Sequence, residues 1–162
     1  MSFHNIQIDY ELIKASDQKS AEDKTLLESA KNAIKGSYAP YSHFHVGAAV
    51  LLEDGTIVIG SNQENVAYPS GLCAERVAIF AASAQHPNKV IKSIAITAYS
   101  KEVHLEHPVT PCGSCRQVIT EYEEKQNSEI QVLLADANGD VIKLKSSIDL
   151  LPLLFKADHL KK

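Results

Sequence analysis

Nothing in this chain of 162 residues is long and apolar enough to cross a bilayer. Its longest uninterrupted apolar stretches, around Gly47 to Leu52 and Val77 to Ala82, reach about a third of the roughly 20 residues a spanning helix requires. The first residues, MSFHNIQIDYELIK, lack the basic start and apolar h-region of a secretory leader, and acidic residues come early, so a cytoplasmic chain is expected. Positive charge is also short: 16 basic side chains stand against 20 acidic ones, net charge -4, with no Lys/Arg run. Nucleic-acid affinity rests on clustered cations that neutralise phosphates, so neither a polyanion nor a membrane is expected as partner, and a small molecule is. Cysteines number three, all between positions 73 and 115. An odd count in a chain without an export signal does not read as a disulfide framework, so the thiols need another explanation.

No internal repeat, low-complexity tract or Pro/Gly/Ser-rich linker divides the chain, and 44% hydrophobic with 22% charged residues is the composition of one globular domain over 1–162. Ile6, Ile8, Tyr10 and Leu12 alternate with polar residues, the period of a half-buried edge strand. Ser20 then precedes apolar positions Leu26, Leu27, Ala30, Ala33 and Ile34 at helical steps, with a stop at Gly36. His45 to Leu52 and Thr56 to Ser61 read as antiparallel strands around the turn Glu53-Asp54-Gly55. Helices are predicted over Cys73 to Ala84 and from Pro111 to about Lys125. Each is followed by a strand, at Ser93 to Tyr99 and Ile130 to Ala135. An Asn138-Gly139 turn leads to a strand at Val141 to Leu144, and a short helix is predicted around Asp149 to Phe155. The expected class is α/β, a three-layer α/β/α sandwich on a mixed five-stranded core sheet with an added N-terminal edge strand.

Cys73-Ala74-Glu75 opens one predicted helix and Pro111-Cys112-Gly113-Ser114-Cys115 another, so all three thiols fall at helix N-termini. The positive end of the helix dipole favours anions there, lowers thiol pKa and supplies the thiolates a metal requires. Cys112 and Cys115, three apart, share one side of a turn, and Cys73 must come from the facing helix. Cys73 and Glu75 are two apart, which inside a helix would part them. A residue at the cap has non-helical backbone angles, so Cys73 can point along the axis while Glu75 curls toward the same space. Three sulfur ligands leave the fourth tetrahedral position of Zn²⁺ to water, the arrangement of a catalytic site, with Glu75 beside it as proton carrier.

The pattern matches the signature of the zinc nucleobase and nucleoside deaminases, in which H-x-E is followed by P-C-x-x-C and an all-cysteine variant exists. Here Cys73 stands in place of the histidine. The chain also resembles the small cytidine deaminases in Tyr38-Ala39-Pro40-Tyr41-Ser42-His43-Phe44, Val46-Gly47-Ala48-Ala49, Asn62-Gln63-Glu64-Asn65, Cys73-Ala74-Glu75-Arg76 and Pro111-Cys112-Gly113-Ser114-Cys115-Arg116-Gln117, and extends the match at Leu151-Pro152-Leu153-Leu154-Phe155. About residues 20 to 157 are covered, leaving about 1–19 as an N-terminal extension and the Glu102 to Thr110 connection as rather long.

The resemblance implies zinc-dependent deamination of cytidine and 2′-deoxycytidine in pyrimidine salvage, by a homotetramer with sites at subunit interfaces and one Zn²⁺ per subunit. It implies Cys73, Cys112 and Cys115 as ligands and Glu75 as the catalytic group. It further implies Asn62 and Glu64 on the ribose 3′-hydroxyl, Phe44 and Phe155 against the base, the Ala74 amide on the pyrimidine carbonyl, and Tyr68 contributed across a subunit boundary. Three thiolates leave the divalent site at -1, and Arg76 is expected to offset that charge by donating to sulfur, with Arg116 as second candidate.

Other readings compete. A lone C-x-x-C also suits a redox pair, but that leaves Cys73 and Glu75 unexplained. A closed structural zinc needs a fourth ligand, and no histidine lies at ligand spacing. His43 and His45 are read as local hydrogen-bonding groups without catalytic work. A deaminase of another cytosine-bearing compound would share the zinc words, and a non-catalytic metal protein would bind zinc without turnover.

Overall fold

In chain order the computed structural model has strand β1 (Glu11–Ile13), helix α1 (Ala21–Ala33), strands β2 (Phe44–Leu52) and β3 (Ile57–Ser61), and helix α2 (Ala74–Gln85). Strand β4 (Ile91–Ser100), helix α3 (Gly113–Gln126) and strands β5 (Gln131–Ala135) and β6 (Val141–Leu144) follow. The structure describes residues 1–156. One sheet runs β1-β6-β5-β4-β2-β3. Strands β4 and β5 are parallel, which requires the crossover that α3 supplies, and the other neighbours are antiparallel.

Strict alternation decides both faces of the sheet. Val50, Leu52, Ile94, Ile96, Val132 and Leu134 point to one side and pack with Ala78 and Ile79 of α2 and Ile119 of α3. The alternate residues Ala49, Leu51, Ala95, Leu133 and Ala135 meet Leu26 and Ala30 of α1 on the other. The three-layer sandwich is therefore as expected, with six strands when the edge strand is counted. Among the described residues no helix is long and apolar enough to cross a membrane.

Two glycines let helices lie close on the sheet. A Cβ on Gly47 would stand 2.0 Å from the Ala30 carbonyl oxygen of α1, and one on Gly60 would stand 2.4 Å from the Ala78 nitrogen and 2.5 Å from the Ala74 oxygen of α2.

Both ends of the chain depart from expectation. The edge strand is only three residues long, with Glu11, Leu12 and Ile13 opposite Lys143, Ile142 and Val141. Continued toward the N-terminus, that register puts Ile8 and Ile6 opposite Ser146 and Ile148, past the end of β6 at Leu144, and Ile6, Ile8 and Tyr10 all stay exposed. The predicted helix around Asp149 to Phe155 is a single 3₁₀ turn, Ser147–Leu150. Pro152 disfavours helical angles at Leu151, which sits at φ -136°, and Leu153 follows in the left-handed region at φ 56°. The helix predicted from Cys73 starts at Ala74 with Cys73 as its N-cap, and the one predicted from Pro111 starts at Gly113, with Cys112 as its N-cap and Pro111 before the cap.

Candidate metal centre and substrate cleft

Helices α2 and α3 lie on the same face of the sheet and bring their N-termini together. Cys73 caps α2 with extended angles (φ -71°, ψ 152°) and Cys112 caps α3 likewise (φ -66°, ψ 165°), so neither side chain follows the helical path. Cys115 lies in the first turn of α3, fully buried. Cys73 Sγ is 4.0 Å from Cys112 Sγ, Cys112 Sγ is 3.6 Å from Cys115 Sγ, and all three lie within 4.8 Å of one another. Tetrahedral sulfurs about 2.3 Å from a zinc ion stand about 3.8 Å apart, so the trio fits zinc. Among the described residues it is the one cluster of three metal-ligating side chains, and no fourth belongs to it. That donor count marks a catalytic site, since structural zinc sites are closed by four.

The three thiols do not ionise independently. Cys73 is lowered to about 5, first by a hydrogen bond from the Cys115 thiol and then by Arg76, against the cost of burial. Cys115 is held far up by donating to Cys73, by burial and by the charge of Glu75. Three touching sulfurs can all ionise only around a cation. Arg76 Nη2 donates to Cys73 Sγ at 3.7 Å, and Arg76 Nε is a buried donor with no protein partner. Arg76 is three residues from Cys73, on the same side of the turn, whereas Arg116 directly follows Cys115 and is rotated away from it.

That rotation corrects one expectation. Arg116 makes no bond to sulfur: Nε donates to the Pro111 carbonyl (2.8 Å), Nη1 to the Leu150 carbonyl (2.9 Å) and Nη2 to Thr110 Oγ1 (3.3 Å).

Glu75, in the first turn of α2, is only 5% exposed. Burial first, and then the negative charge of Cys73, hold its carboxyl above the usual carboxylate range, favouring its protonated form. A cleft of about 720 Å³ opens above it, with Cys73, Cys112 and Arg76 in its lining. Phe44, Asn62, Glu64 and Tyr68 line it too. Ala74 is fully buried as the first residue of α2.

Asn62 Oδ1 accepts from the Val46 N–H (2.8 Å) and the Ser37 hydroxyl (2.6 Å), and its Nδ2 donates to the Phe44 carbonyl (2.9 Å). One amide N–H is left over. Glu64 accepts from the Tyr41 N–H (3.0 Å), the Ser42 N–H (3.3 Å) and the Ser42 hydroxyl. Burial works against its charge, but these donors outweigh it and hold the carboxyl below its ordinary value.

Two aromatic residues stand differently from the rest. Tyr68 lines the cleft of its own chain although 79% exposed, with its ring edge-on to Tyr41 at 6.4 Å. Phe155 is 71% exposed and outside the cleft, its carbonyl accepting from Gln117 Nε2 at 3.3 Å. His43 and His45 contact Glu102 and Ser37 respectively, away from the sulfurs. Val109 and Thr110, from the end of the long connection, form a cleft wall that no sequence word announces; Tyr41 and Ser42, which lie in a matched word but were given no role there, line the cleft too.

A trio of sulfurs at paired helix ends, with a buried carboxyl and an organic-sized cleft, is the equipment of a zinc-dependent hydrolase. Residues 20–128 match the family profile described as the cytidine and deoxycytidylate deaminase zinc-binding region. A cytidine deaminase of Halalkalibacterium halodurans is 39% identical over 135 residues, covering 83% of this chain and 95% of the relative. One of Sporosarcina psychrophila is 44% identical over 116 residues, covering 72% and 79%. The crystal structure of cytidine deaminase from Burkholderia pseudomallei superposes with a TM-score of 0.72 at 39% identity, covering 82% of this chain and 98% of that one. The chain belongs to the cytidine deaminase family. It is a hydrolase acting on a C–N bond, with one zinc ion per chain as cofactor.

Proposed function

We propose that the enzyme converts free cytidine and 2′-deoxycytidine to uridine and 2′-deoxyuridine, releasing ammonia, in the pyrimidine salvage of the cytoplasm. The observation that carries the choice of nucleoside is the charge of the cleft. Its only lining cation among the described residues is Arg76, already committed to Cys73, and Glu64 adds a negative charge. A 5′-phosphate would find no counter-charge there. The one free Asn62 N–H and the remaining acceptor capacity of Glu64 suit a ribose hydroxyl, which both accepts and donates. Phe44 offers its ring to the base, and the Ala74 amide, at the start of α2, suits the pyrimidine carbonyl.

Cys73, Cys112 and Cys115 would hold the zinc ion, whose Lewis acidity would let water give up a proton near neutral pH. Glu75 takes that proton on its carboxylate and gives it to N3 of the cytosine ring as the water oxygen bonds to C4. It then relays the second water proton to the exocyclic amine, the C4–N bond breaks, ammonia leaves, and the carboxylate is restored. Arg76 tempers the charge of the sulfurs. In Arg76→Gln the fold is kept, but with less positive charge nearby the deprotonated form is less favoured, so the rising limb of the pH–rate profile moves to higher pH. An unmoved limb would assign the compensation to the helix dipoles alone.

Loss of ultraviolet absorbance with cytidine, 2′-deoxycytidine, deoxycytidine monophosphate and free cytosine tests the substrate. The two nucleosides should turn over with kcat/KM about a hundredfold above the monophosphate, the size of an uncompensated like-charge contact. A monophosphate used as well as cytidine overturns the reading. The active form is proposed, from the resemblance to the small cytidine deaminases, to be a homotetramer, and Tyr68, Leu153 and Phe155, 79%, 92% and 71% exposed on one chain, are apolar groups that such an assembly would cover. Phe155 would then serve a neighbour's cleft, and sedimentation of the same preparation at the mass of a monomer removes the assembly from the proposal.

A further inference from the structure

Arg116 follows the second cysteine of α3 and has all its polar nitrogens engaged. Two of its acceptors, the Pro111 carbonyl and the Thr110 hydroxyl, belong to the segment leading into Cys112, and Thr110 and Cys112 line the cleft. The third, the Leu150 carbonyl, ends the 3₁₀ turn Ser147–Leu150. That turn is itself anchored. Glu123, 4% exposed on α3, accepts from the Ile130 N–H (3.0 Å), the Ser147 N–H (2.8 Å), the Ser147 hydroxyl (2.7 Å) and the Ser146 hydroxyl. Backbone around the cleft is thus tied through one guanidinium to a turn that a buried carboxylate fixes to the last turn of α3.

We propose that Arg116 is a positioning residue for the deamination, holding Thr110 and Pro111 against Leu150 and so setting the Cys112 sulfur and the Thr110 wall relative to α2. The inference rests on the cleft being the nucleoside's site. Three acceptors in different directions suit a planar fork of donors, and a lysine ammonium would serve one of them from a single point. Cys73, Glu75 and Arg76 all sit at the start of α2, which Arg116 does not bond. The arrangement therefore separates holding zinc and substrate, which Arg116 governs, from moving the proton, which it does not.

The test uses the zinc-loaded full chain as wild type, Arg116→Gln and Arg116→Lys. Zinc release to excess chromogenic chelator should be about tenfold faster in Arg116→Gln, the lower range for loss of a group that orients a metal ligand. KM for cytidine should rise by a similar factor, while kcat at saturating zinc stays within about threefold because the proton carrier is untouched. Arg116→Lys should fall between. A lowered melting temperature with unchanged zinc release and KM overturns the proposal and leaves a structural brace. Should Arg116→Gln not fold, Thr110→Val removes one acceptor and leaves the arginine in place. Faster zinc release in that variant then supports the proposal, and wild-type zinc release in it together with wild-type KM and zinc release in Arg116→Lys overturns it. If wild type does not turn over cytidine, the cleft assignment fails, and the zinc-release comparison still decides the role of Arg116.

Discussion

Replacing Glu75 with glutamine should abolish deamination while leaving zinc at one ion per chain. The amide has nearly the shape of the carboxyl, so the buried site is neither emptied nor overfilled, and the three sulfur donors are unchanged. What disappears is the group that takes the water proton and passes protons to N3 and to the leaving amine. General acid–base work by a positioned side chain contributes about 10²- to 10⁴-fold, and one residue performing successive transfers belongs at the top of that range. A fall in kcat of about 10⁴-fold or more is expected, with metal content by elemental analysis and the thermal melt near wild type. Activity within tenfold of wild type would remove Glu75 from the proton path. Lost zinc would make the carboxylate a ligand.

The second large effect is expected at Gly60, on the strand beneath α2. The added Cβ of Gly60→Ala would meet the Ala78 nitrogen at 2.4 Å and the Ala74 oxygen at 2.5 Å. Both are backbone atoms, which cannot rotate aside as a side chain could, so the whole first half of α2 must lift. Overpacking a filled core costs about 1–3 kcal/mol and here should reach about 3 kcal/mol or more. For a chain of this size that lowers the melting temperature by about 6 to 12 °C. The lifted helix carries Cys73 and Glu75, so zinc affinity and turnover should fall with stability. Gly113→Ala is the control: a Cβ there has no neighbour within 4 Å, and alanine is the better helix former. A Gly60→Ala melt within a degree or two of wild type would show that α2 has slack against β3.

Much of the site was legible in the sequence because its chemistry is local. The sulfurs and Glu75 sit at helix starts, and a cap is written in a few adjacent letters. The central strands were equally plain, since Val50, Leu52, Ile94 and Ile96 alternate with residues bound for the opposite face. Contacts between distant segments left no such mark. Arg116 looked like a partner for sulfur because it adjoins Cys115, and only the turn of α3 aims it at Pro111 and Leu150. The support of Glu64 by Tyr41 and Ser42 rests largely on backbone amides, which any residue but proline could donate. The N-terminal strand was overestimated because its alternation runs past the end of β6, and the C-terminal helix because the apolar spacing hid what Pro152 does to Leu151.

Cys73 and Cys112 lie 39 positions apart, with α2 and the central strand β4 between them. An ion gripped from both ends therefore works as a clasp on a large loop of chain, one that closes over the middle of the sheet. Ordering such a loop is entropically costly when it must be done by packing alone. The zinc ion thus also fastens the two helix ends whose meeting forms the site, so that binding the metal adds to the stability of the scaffold around it.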